Sequence, residues 1–526
     1  MLYLSELQIS PMIENLGYAT GGGLSASSQT TQSMQRTIKQ VFRRIPNIKI
    51  KGDTSLAVTA LITDSRRIVP GAVFFARDGR RTDGNFFVEE AIDRGAAAIV
   101  STRPPGPHAS MVWIQVKDVP AALASAAREF YHRPDETLRV IGVTGTNGKT
   151  TVTSLVQHLL SGDRRKMGLI GTVHYDLGGR TIPSFKTTPE SVDTLAMLSQ
   201  MRTAGCEGVV MEVSSHGIEQ RRVDGLHLEM AAFLNLTQDH LDYHGSMEAY
   251  FETKAALFTG QVGNLPSVAV INIDDPWGVR LRDRVPGDMT VITIGEDPQS
   301  DFRASAIELN LENTLFHLTT PAGEHLVRSP LLGRYNVSNV LAALALSSAY
   351  GVDLRELVSR LEGFPGVPGR MEPVDEGQEF KVLVDYAHTD DALRNTLAML
   401  REVVRGRILL VFGCGGDRDR AKRPLMMKAA ETGADLVWAT TDNPRSEDPA
   451  RIFEDMRGGL SEGAKACFVE DRRTAIGAAL GEARPGDVVL IAGKGHETFQ
   501  ELADTAVPFD DRQVAREILR LRSDFS

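Results

Sequence analysis

The segment Val140-Ile141-Gly142-Val143-Thr144-Gly145-Thr146-Asn147-Gly148-Lys149-Thr150-Thr151 constrains this chain more than any other. An apolar run that reads as a buried strand ends in a glycine-rich turn, and the stretch 152–160 behind it suits a helix. That order serves a triphosphate. Glycines let backbone N–H groups approach phosphate oxygens, and the helix N-terminus adds partial positive charge. Lys149 can reach the terminal phosphates and Thr150 can hold Mg²⁺. Val143 stands where the strict Gly-x-x-x-x-Gly-Lys-Thr form has its first glycine. A glycine turn of purely structural use is the competing account, and Lys-Thr-Thr weighs against it.

A chain of 526 residues exceeds a single core, so two to four domains are expected. The composition, 42% hydrophobic and 24% charged, is that of an ordinary globular protein. The net charge of −10 argues against a sequence-independent nucleic-acid binder, which needs a basic face. Cys206, Cys414 and Cys467 are odd in number and far apart. They suggest neither a disulfide framework nor a metal spacing, so a reducing, cytoplasmic setting is expected. No apolar run approaches the ~20 residues of a membrane helix, and no membrane insertion is expected. Met1 to Leu7 lacks the basic start and long apolar core of a secretory signal. Residues 1–47, rich in Gly, Ser, Thr and Gln over 19–35, read as a disordered extension.

Three blocks follow. The first, 48–137, has short apolar strands at 72–76 and 97–100 and an exit linker at Arg133-Pro134-Asp135. The second, 138–365, begins with the phosphate loop and continues with strands at 208–213, 231–236 and 268–273. Helical patterns between them predict a mostly parallel sheet. Gly363-Phe364-Pro365-Gly366-Val367-Pro368-Gly369 punctuates its end. The third, 366–526, alternates strands at 382–385, 408–412, 436–440 and 488–492 with helices, which predicts a second, smaller Rossmann-like sheet. The fold class is thus α/β in three domains, a small α/β domain preceding the two larger sheets.

Ligands in such sheets bind beyond the C-terminal ends of the strands. Polar clusters stand at those ends. Glu212-Val213-Ser214-Ser215-His216-Gly217 offers a carboxylate for Mg²⁺, or merely a capped helix entry. Asn235-Leu236-Thr237-Gln238-Asp239-His240-Leu241-Asp242-Tyr243-His244 is dense in Asp and His, suiting phosphate or a hard ion rather than zinc; a plain polar loop is the bland alternative. Lys254, on an expected helix 247–258, reads by position alone as a solvated surface lysine. In the third block four polar turns end four strands: Asp385-Tyr386-Ala387-His388, Gly413-Cys414-Gly415-Gly416-Asp417-Arg418-Asp419, Asp442-Asn443-Pro444-Arg445 and Ala492-Gly493-Lys494-Gly495-His496-Glu497. Each alone could be an ordinary turn. Together, on one edge of one sheet, they look like a site.

With these motifs the chain resembles the Mur ligase family over about residues 48–526. Further matching motifs are Thr63-Asp64-Ser65-Arg66, Thr187-Thr188-Pro189, Gly333-Arg334-Tyr335-Asn336-Val337-Ser338-Asn339 and Gly369-Arg370-Met371-Glu372. The resemblance implies a UDP-sugar domain, an ATP domain and an amino-acid domain. It implies ATP at Gly145, Thr146, Asn147, Gly148, Lys149, Thr150 and Thr151, with Asn336, Arg370 and Asp385 as weaker candidates. It implies Mg²⁺ at Thr150, Glu212 and His240, and a second ion at Lys254 once carbamylated; Lys149, Glu212, His240 and Lys254 would be catalytic. Thr63, Ser65, Thr187, Thr188, Ser214, Gln220 and Arg222 would hold a UDP-muramoyl dipeptide. Arg418, Asp442, Asn443, Pro444, Arg445, Gly493 and Glu497 would hold the incoming amino acid. Asp442-Asn443-Pro444-Arg445 is the pattern of members that add meso-diaminopimelate. Two departures stand out: Lys186 replaces the usual Asn before Thr187, and Asp390 the usual Pro.

The implied reaction is ADP-forming amide synthesis through an acyl phosphate, in a monomer acting on small molecules. Arg445 can pair bidentately with the distal carboxylate that diaminopimelate has and lysine lacks. If lysine left Arg445 buried without a partner, the cost would be about 3–5 kcal/mol, and discrimination ~10² or more. The rivals are the lysine-adding form, a relative of folylpolyglutamate synthetase, and a nucleotide switch whose third block binds a partner. Thr63-Asp64-Ser65-Arg66 and Arg445 argue against the second.

Overall fold

In the computed structural model the described residues are 36–77, 83–106, 110–162, 165–464 and 466–523. The disorder expected for residues 1–35 lies outside them. From Arg36 to Asn47 that expectation is corrected. Thr37 caps a short helix, Ile38–Val41, with a capping box, and Ile38, Val41 and Phe42 are buried. Apolar burial and two satisfied helix-end groups give this stretch reason to order.

The chain divides into two compact units, one ending at Val119 and one starting at Pro120. The first unit ends earlier than the linker at Arg133-Pro134-Asp135 suggested. The turn Pro134–Glu136 is pinned within the second unit: buried Asp135 pairs with Arg128 at 2.8 Å and accepts from His227 N at 2.9 Å.

The first unit holds a five-stranded sheet in the order Lys49–Lys51, Val112–Gln115, Ala98–Ser101, Val73–Phe75, Leu61–Ile62; only the first strand runs antiparallel. Phe74, Ile99 and Trp113 are buried in its core.

The second unit carries two large sheets. The first has eleven strands, and its middle runs Val268–Asn272, Met230–Phe233, Arg139–Thr144, Gly208–Glu212, Met167–Ile170, all parallel. Arg139–Thr144 is flanked on both sides by strands that come later in the chain. A crevice opens at such a switch point. Here the register sets Glu212 beside Val143 and Phe233 beside Thr144, so three strand ends meet at Gly145. The helix Arg334–Ala349 packs beneath, with Val340, Leu341, Leu344 and Leu346 fully buried. A helix apolar on nearly every face belongs inside a core.

Three antiparallel strands, Phe302–Leu309, Thr314–Thr320 and Gly323–Ser329, extend this sheet and were not foreseen. Thr314–Thr320 buries Phe316 and Leu318 and exposes His317 and Thr319, the alternation of a sheet with one wet face.

The other large sheet has the order Glu372–Pro373, Lys381–Asp385, Val488–Ala492, Ile408–Cys414, Leu436–Thr441, Cys467–Val469, parallel except at its first strand. Asp385 pairs with Ala492 and Cys414 with Thr441, so the four polar turns leave one edge. At the departure Asp390, Thr389 caps the helix Asp390–Val403 and Asp390 takes its first position. Pro and Asp both suit that position, one by its fixed φ and the other by its charge.

Candidate active site

The loop after Arg139–Thr144 is built by close approach. Gly148 has φ +88°, and a Cβ there would lie 2.2 Å from Asn339 Oδ1; at Gly145 it would lie 2.9 Å from Leu234 Cβ. The next strand end braces the loop. Asn147 N donates to Asn235 Oδ1 at 2.9 Å, Asn235 Nδ2 donates to Asn147 O at 3.2 Å, and Thr237 N donates to Thr146 Oγ1 at 3.1 Å. The helix Lys149–Leu160 begins at once, with Lys149, Thr150 and Thr151 in its first turn.

Lys149 Nζ donates to Gly145 O at 2.8 Å and Thr146 O at 2.9 Å. Burial holds its ammonium below the usual lysine range, while the charges of Glu212 and Asp239 pull the other way. Lys254 was expected by position to be a solvated surface residue; the structure corrects this. It is 1% exposed, its Nζ donates to Gly145 O at 2.9 Å and lies 4.7 Å from the Tyr250 ring centre. Burial, and then the charge of Lys149, push its pKa far down. Periodicity alone could not tell that its side of the helix Met247–Ala255 faces the phosphate loop.

Glu212 is buried at its strand end and accepts from Thr172 N at 2.7 Å and Thr172 Oγ1 at 3.1 Å. Thr172 in turn touches Thr187 Oγ1 at 3.1 Å. Thr188 Oγ1 donates to Glu212 O at 2.9 Å and lies 3.1 Å from Ser214 Oγ. Arg222 donates to Thr188 O at 2.9 Å and Gln220 Oε1 at 2.6 Å. Thr187, Thr188, Ser214, Gln220 and Arg222 therefore form one hydrogen-bonded patch beside Glu212. Lys186 pairs with Glu190 at 3.0 Å, and the same Glu190 oxygen lies 3.1 Å from Arg222 Nε, so the departure joins the patch through a shared carboxylate. Thr63 and Ser65 belong to the other unit, where Ser65 Oγ donates to Glu90 at 2.6 Å.

His240 has a left-handed backbone, and its ring stands edge-on to His216 at 4.8 Å. His244 stacks on Tyr250 at 4.8 Å, and the Tyr250 hydroxyl lies 3.3 Å from Thr146 Oγ1. Burial pushes that hydroxyl up to about 12. Among the described residues no group of three or more His, Cys, Asp or Glu converges on an ion site. Glu212, Thr150 and His240 instead offer few, mainly oxygen donors beside a phosphate loop. That suits Mg²⁺, which keeps waters and takes substrate phosphates.

Asn336 donates to Leu332 O at 2.7 Å and accepts from Asn339 Nδ2 at 2.8 Å, so it acts on the loop through Asn339. Arg370 lies over Tyr386 at 4.7 Å. Buried Asp385 accepts from Met371 N at 2.8 Å and Ala387 N at 3.0 Å, and burial raises its pKa against the pull of Arg370.

On the other sheet edge, Asn443 Nδ2 donates to Glu497 Oε2 at 3.0 Å. Gly493 has φ +112°, and a Cβ there would meet Asp442 Oδ2 at 2.8 Å. Arg445 adopts φ +52°, donates to Gly416 O at 2.8 Å and pairs through Nε with Glu501 at 2.5 Å. Pro444 O crowds Gly416, where a Cβ would lie 1.9 Å away. Arg418 is exposed near Gly415. Beneath, fully buried Arg423 pairs with Glu447 at 2.6 Å and Asp455 at 2.7 Å, and Arg423 holds the Glu447 carboxyl down at about 2. The Glu501 contact corrects the idea that lysine would leave Arg445 without a partner. Tyr250, Thr172 and Glu501 were not singled out from the sequence, since no local pattern distinguishes them from ordinary polar residues; Asn235, Asn339 and Lys494 stood inside the quoted motifs but were given no role of their own.

Three successive regions match the family: "Mur ligase family, catalytic domain" over residues 57–131, "Mur ligase middle domain" over 143–347, and "Mur ligase, glutamate ligase domain" over 369–495. The UDP-N-acetylmuramoyl-L-alanyl-D-glutamate–2,6-diaminopimelate ligase of Solibacter usitatus is 47% identical over 88% of this chain and 94% of its own length. This chain belongs to the Mur ligase family. The ligase of the same name from Geobacillus kaustophilus is 46% identical over 88% of this chain and 95% of its own. Among solved structures, one of a UDP-N-acetylmuramoyl-L-alanyl-D-glutamate–2,6-diaminopimelate ligase aligns with TM-score 0.69 and 34% identity, covering 93% of this chain and all of that one. The middle-domain match spans Lys149, Glu212 and Lys254, and the glutamate-ligase match spans Asn443 and Arg445.

Proposed function

We infer that this chain is an ATP-dependent, ADP-forming ligase that adds meso-diaminopimelate to UDP-N-acetylmuramoyl-L-alanyl-D-glutamate in peptidoglycan precursor synthesis. One observation carries the choice of amino acid: Arg445 stands at the same strand-end edge as Asn443, Glu497 and Glu501, in contact with Glu501 and Gly416. The relatives named for this reaction support it. The match over residues 57–131 favours it over a folylpolyglutamate-synthetase relative. The substrates are small molecules, and a cytoplasmic monomer accords with them. Among the described residues no helix is long and apolar enough to cross a membrane.

In the first step the D-glutamate γ-carboxylate attacks the terminal phosphorus of ATP and ADP leaves, giving an acyl phosphate. In the second, a diaminopimelate amine attacks the acyl carbon, loses a proton, and phosphate departs. Charge gathers around one phosphoryl group in both steps. Lys149 and the backbone N–H groups that begin its helix are set to stabilise that charge. Mg²⁺ held by Thr150, Glu212 and His240 would supply further charge neutralisation. Thr187, Thr188, Ser214, Gln220 and Arg222 would hold the dipeptide beside Glu212, with Thr63 and Ser65 binding its UDP-sugar. Asn336, through Asn339, would keep the loop's shape, and Arg370 and Asp385 would contact the nucleotide.

Lys254 is suited to carbamylation. A buried lysine with a depressed pKa presents a neutral amine, the form that adds CO₂. The product is an anion able to hold a second ion where an ammonium would repel it. The reading is tested by ADP release with UDP-muramoyl dipeptide and a panel of amino acids. Turnover should require the dipeptide and be best with meso-diaminopimelate. Equal turnover with neither acceptor would indicate a switch, and a preference for lysine would indicate the lysine-adding form.

A further inference from the structure

We propose that Lys494 is a positioning residue of the amino-acid pocket, its buried ammonium locking Asn443 and Glu497 into the arrangement that receives the incoming diamine. Lys494 has no exposed surface. Its Nζ donates to Asn443 Oδ1 at 3.0 Å and to Glu497 Oε2 at 3.0 Å, and lies 3.9 Å from Asp442 Oδ1. The turn is shaped to drop it inward. Gly493 (φ +112°) and Gly495 (φ +52°) flank it, and a Cβ at Gly495 would meet Tyr386 Cβ at 2.7 Å. Arg472, also buried, donates to Ala492 O at 3.0 Å and anchors the strand end behind it by pairing with Asp511 at 2.7 Å.

An ammonium can only donate, so it dictates the orientation of its neighbours. Asn443 must turn Oδ1 toward Lys494. The same oxygen accepts from Glu501 N at 3.0 Å, which leaves Nδ2 to donate to Glu497 Oε2. Glu497 Oε2 thus receives two donors, and Oε1 is the oxygen assigned to the substrate's amine. Burying an ammonium is costly, and an apolar side chain of similar length would usually serve stability as well. A lysine placed where all its partners are pocket residues is better explained by control of their geometry. Lys494 touches no reacting atom and acts through Asn443 and Glu497.

The inference rests on the diaminopimelate reading, so the wild-type enzyme is assayed first. Failure of wild type to use diaminopimelate would defeat that reading. If wild type turns it over, K494M should raise the KM for diaminopimelate about tenfold or more, the equivalent of one charged hydrogen bond between the substrate's amine and a misplaced Glu497. The KM values for ATP and UDP-muramoyl dipeptide should stay within about twofold, a split that a general loss of packing would not produce. In a double-mutant cycle, K494M and E497Q should be strongly non-additive in diaminopimelate kcat/KM. An unchanged diaminopimelate KM, or full additivity, overturns the proposal. If K494M does not fold by circular dichroism, K494R is read instead. Its wider fork keeps the charge but shifts both partners, and an unchanged diaminopimelate KM there overturns the proposal equally.

Discussion

Replacing Arg445 by alanine should raise the KM for meso-diaminopimelate by roughly tenfold to a hundredfold and leave the KM for ATP unaltered. The magnitude follows from what Arg445 touches. Its side chain is 24% exposed, Nε pairs with Glu501 at 2.5 Å, and Nη1 donates to Gly416 O at 2.8 Å. A charge-assisted hydrogen bond to a distal carboxylate is worth about 1.5–3 kcal/mol, and about 1.4 kcal/mol is tenfold. The larger cost of about 3–5 kcal/mol for an orphaned buried charge does not apply, because Glu501 remains beside the guanidinium when lysine is offered. Preference for diaminopimelate over lysine should therefore be about 10–10² in kcat/KM, and R445A should bring it close to one. Steady-state ADP release, titrating each amino acid at saturating ATP and dipeptide, measures both quantities. R445K is the control for charge without the planar fork, and it should recover only part of the loss. A diaminopimelate KM and preference both unchanged in R445A would refute the reasoning.

G148A should abolish nucleotide binding, since its Cβ would lie 2.2 Å from Asn339 Oδ1 at φ +88°, and N339A should restore only part because the φ strain remains; isothermal titration with ADP checks both. Incubation with ¹³C-bicarbonate should give a carbamate carbon resonance in wild type that is missing in K254M, and the same spectrum in both would reject Lys254 as the modified residue. Glu447 is held at about 2 against an ordinary 4.5 by Arg423, so it contributes stability above pH 4.5 that is lost as pH falls toward 2. E447Q should therefore show a smaller drop in thermal midpoint than wild type across that window. R423M should destabilise the loop bearing Glu447 in chemical denaturation, by less than the about 3–5 kcal/mol of a broken, fully buried pair, because Asp455 keeps Arg420 at 2.9 Å and only Glu447 loses its cation.

The strands beside the site were legible from sequence because each is a short apolar run ended by polar or glycine residues. Val488–Ala492 is identical to the expectation, and Gly208–Glu212 and Leu436–Thr441 differ from it by one residue. The three strands from Phe302 to Ser329 were not, since alternating Thr, His and Glu on a wet face dilute the apolar signal. Motif and resemblance together named Lys149, Glu212, Asn443 and Arg445, because phosphate and carboxylate chemistry requires those side chains at strand ends.

Local order along the chain thus determined the strands beside the site, where the phosphate loop turns, and which charges end those strands. Tertiary structure alone decided that Lys254 is buried against Gly145, that Asn339 seats Gly148, that Glu501 pairs with Arg445, and that Lys494 lies beneath Asn443 and Glu497. The reason is physical. A side chain's solvent and partners are set by residues far away in sequence, and burial changes what a lysine or a carboxylate can do more than its neighbours along the chain can.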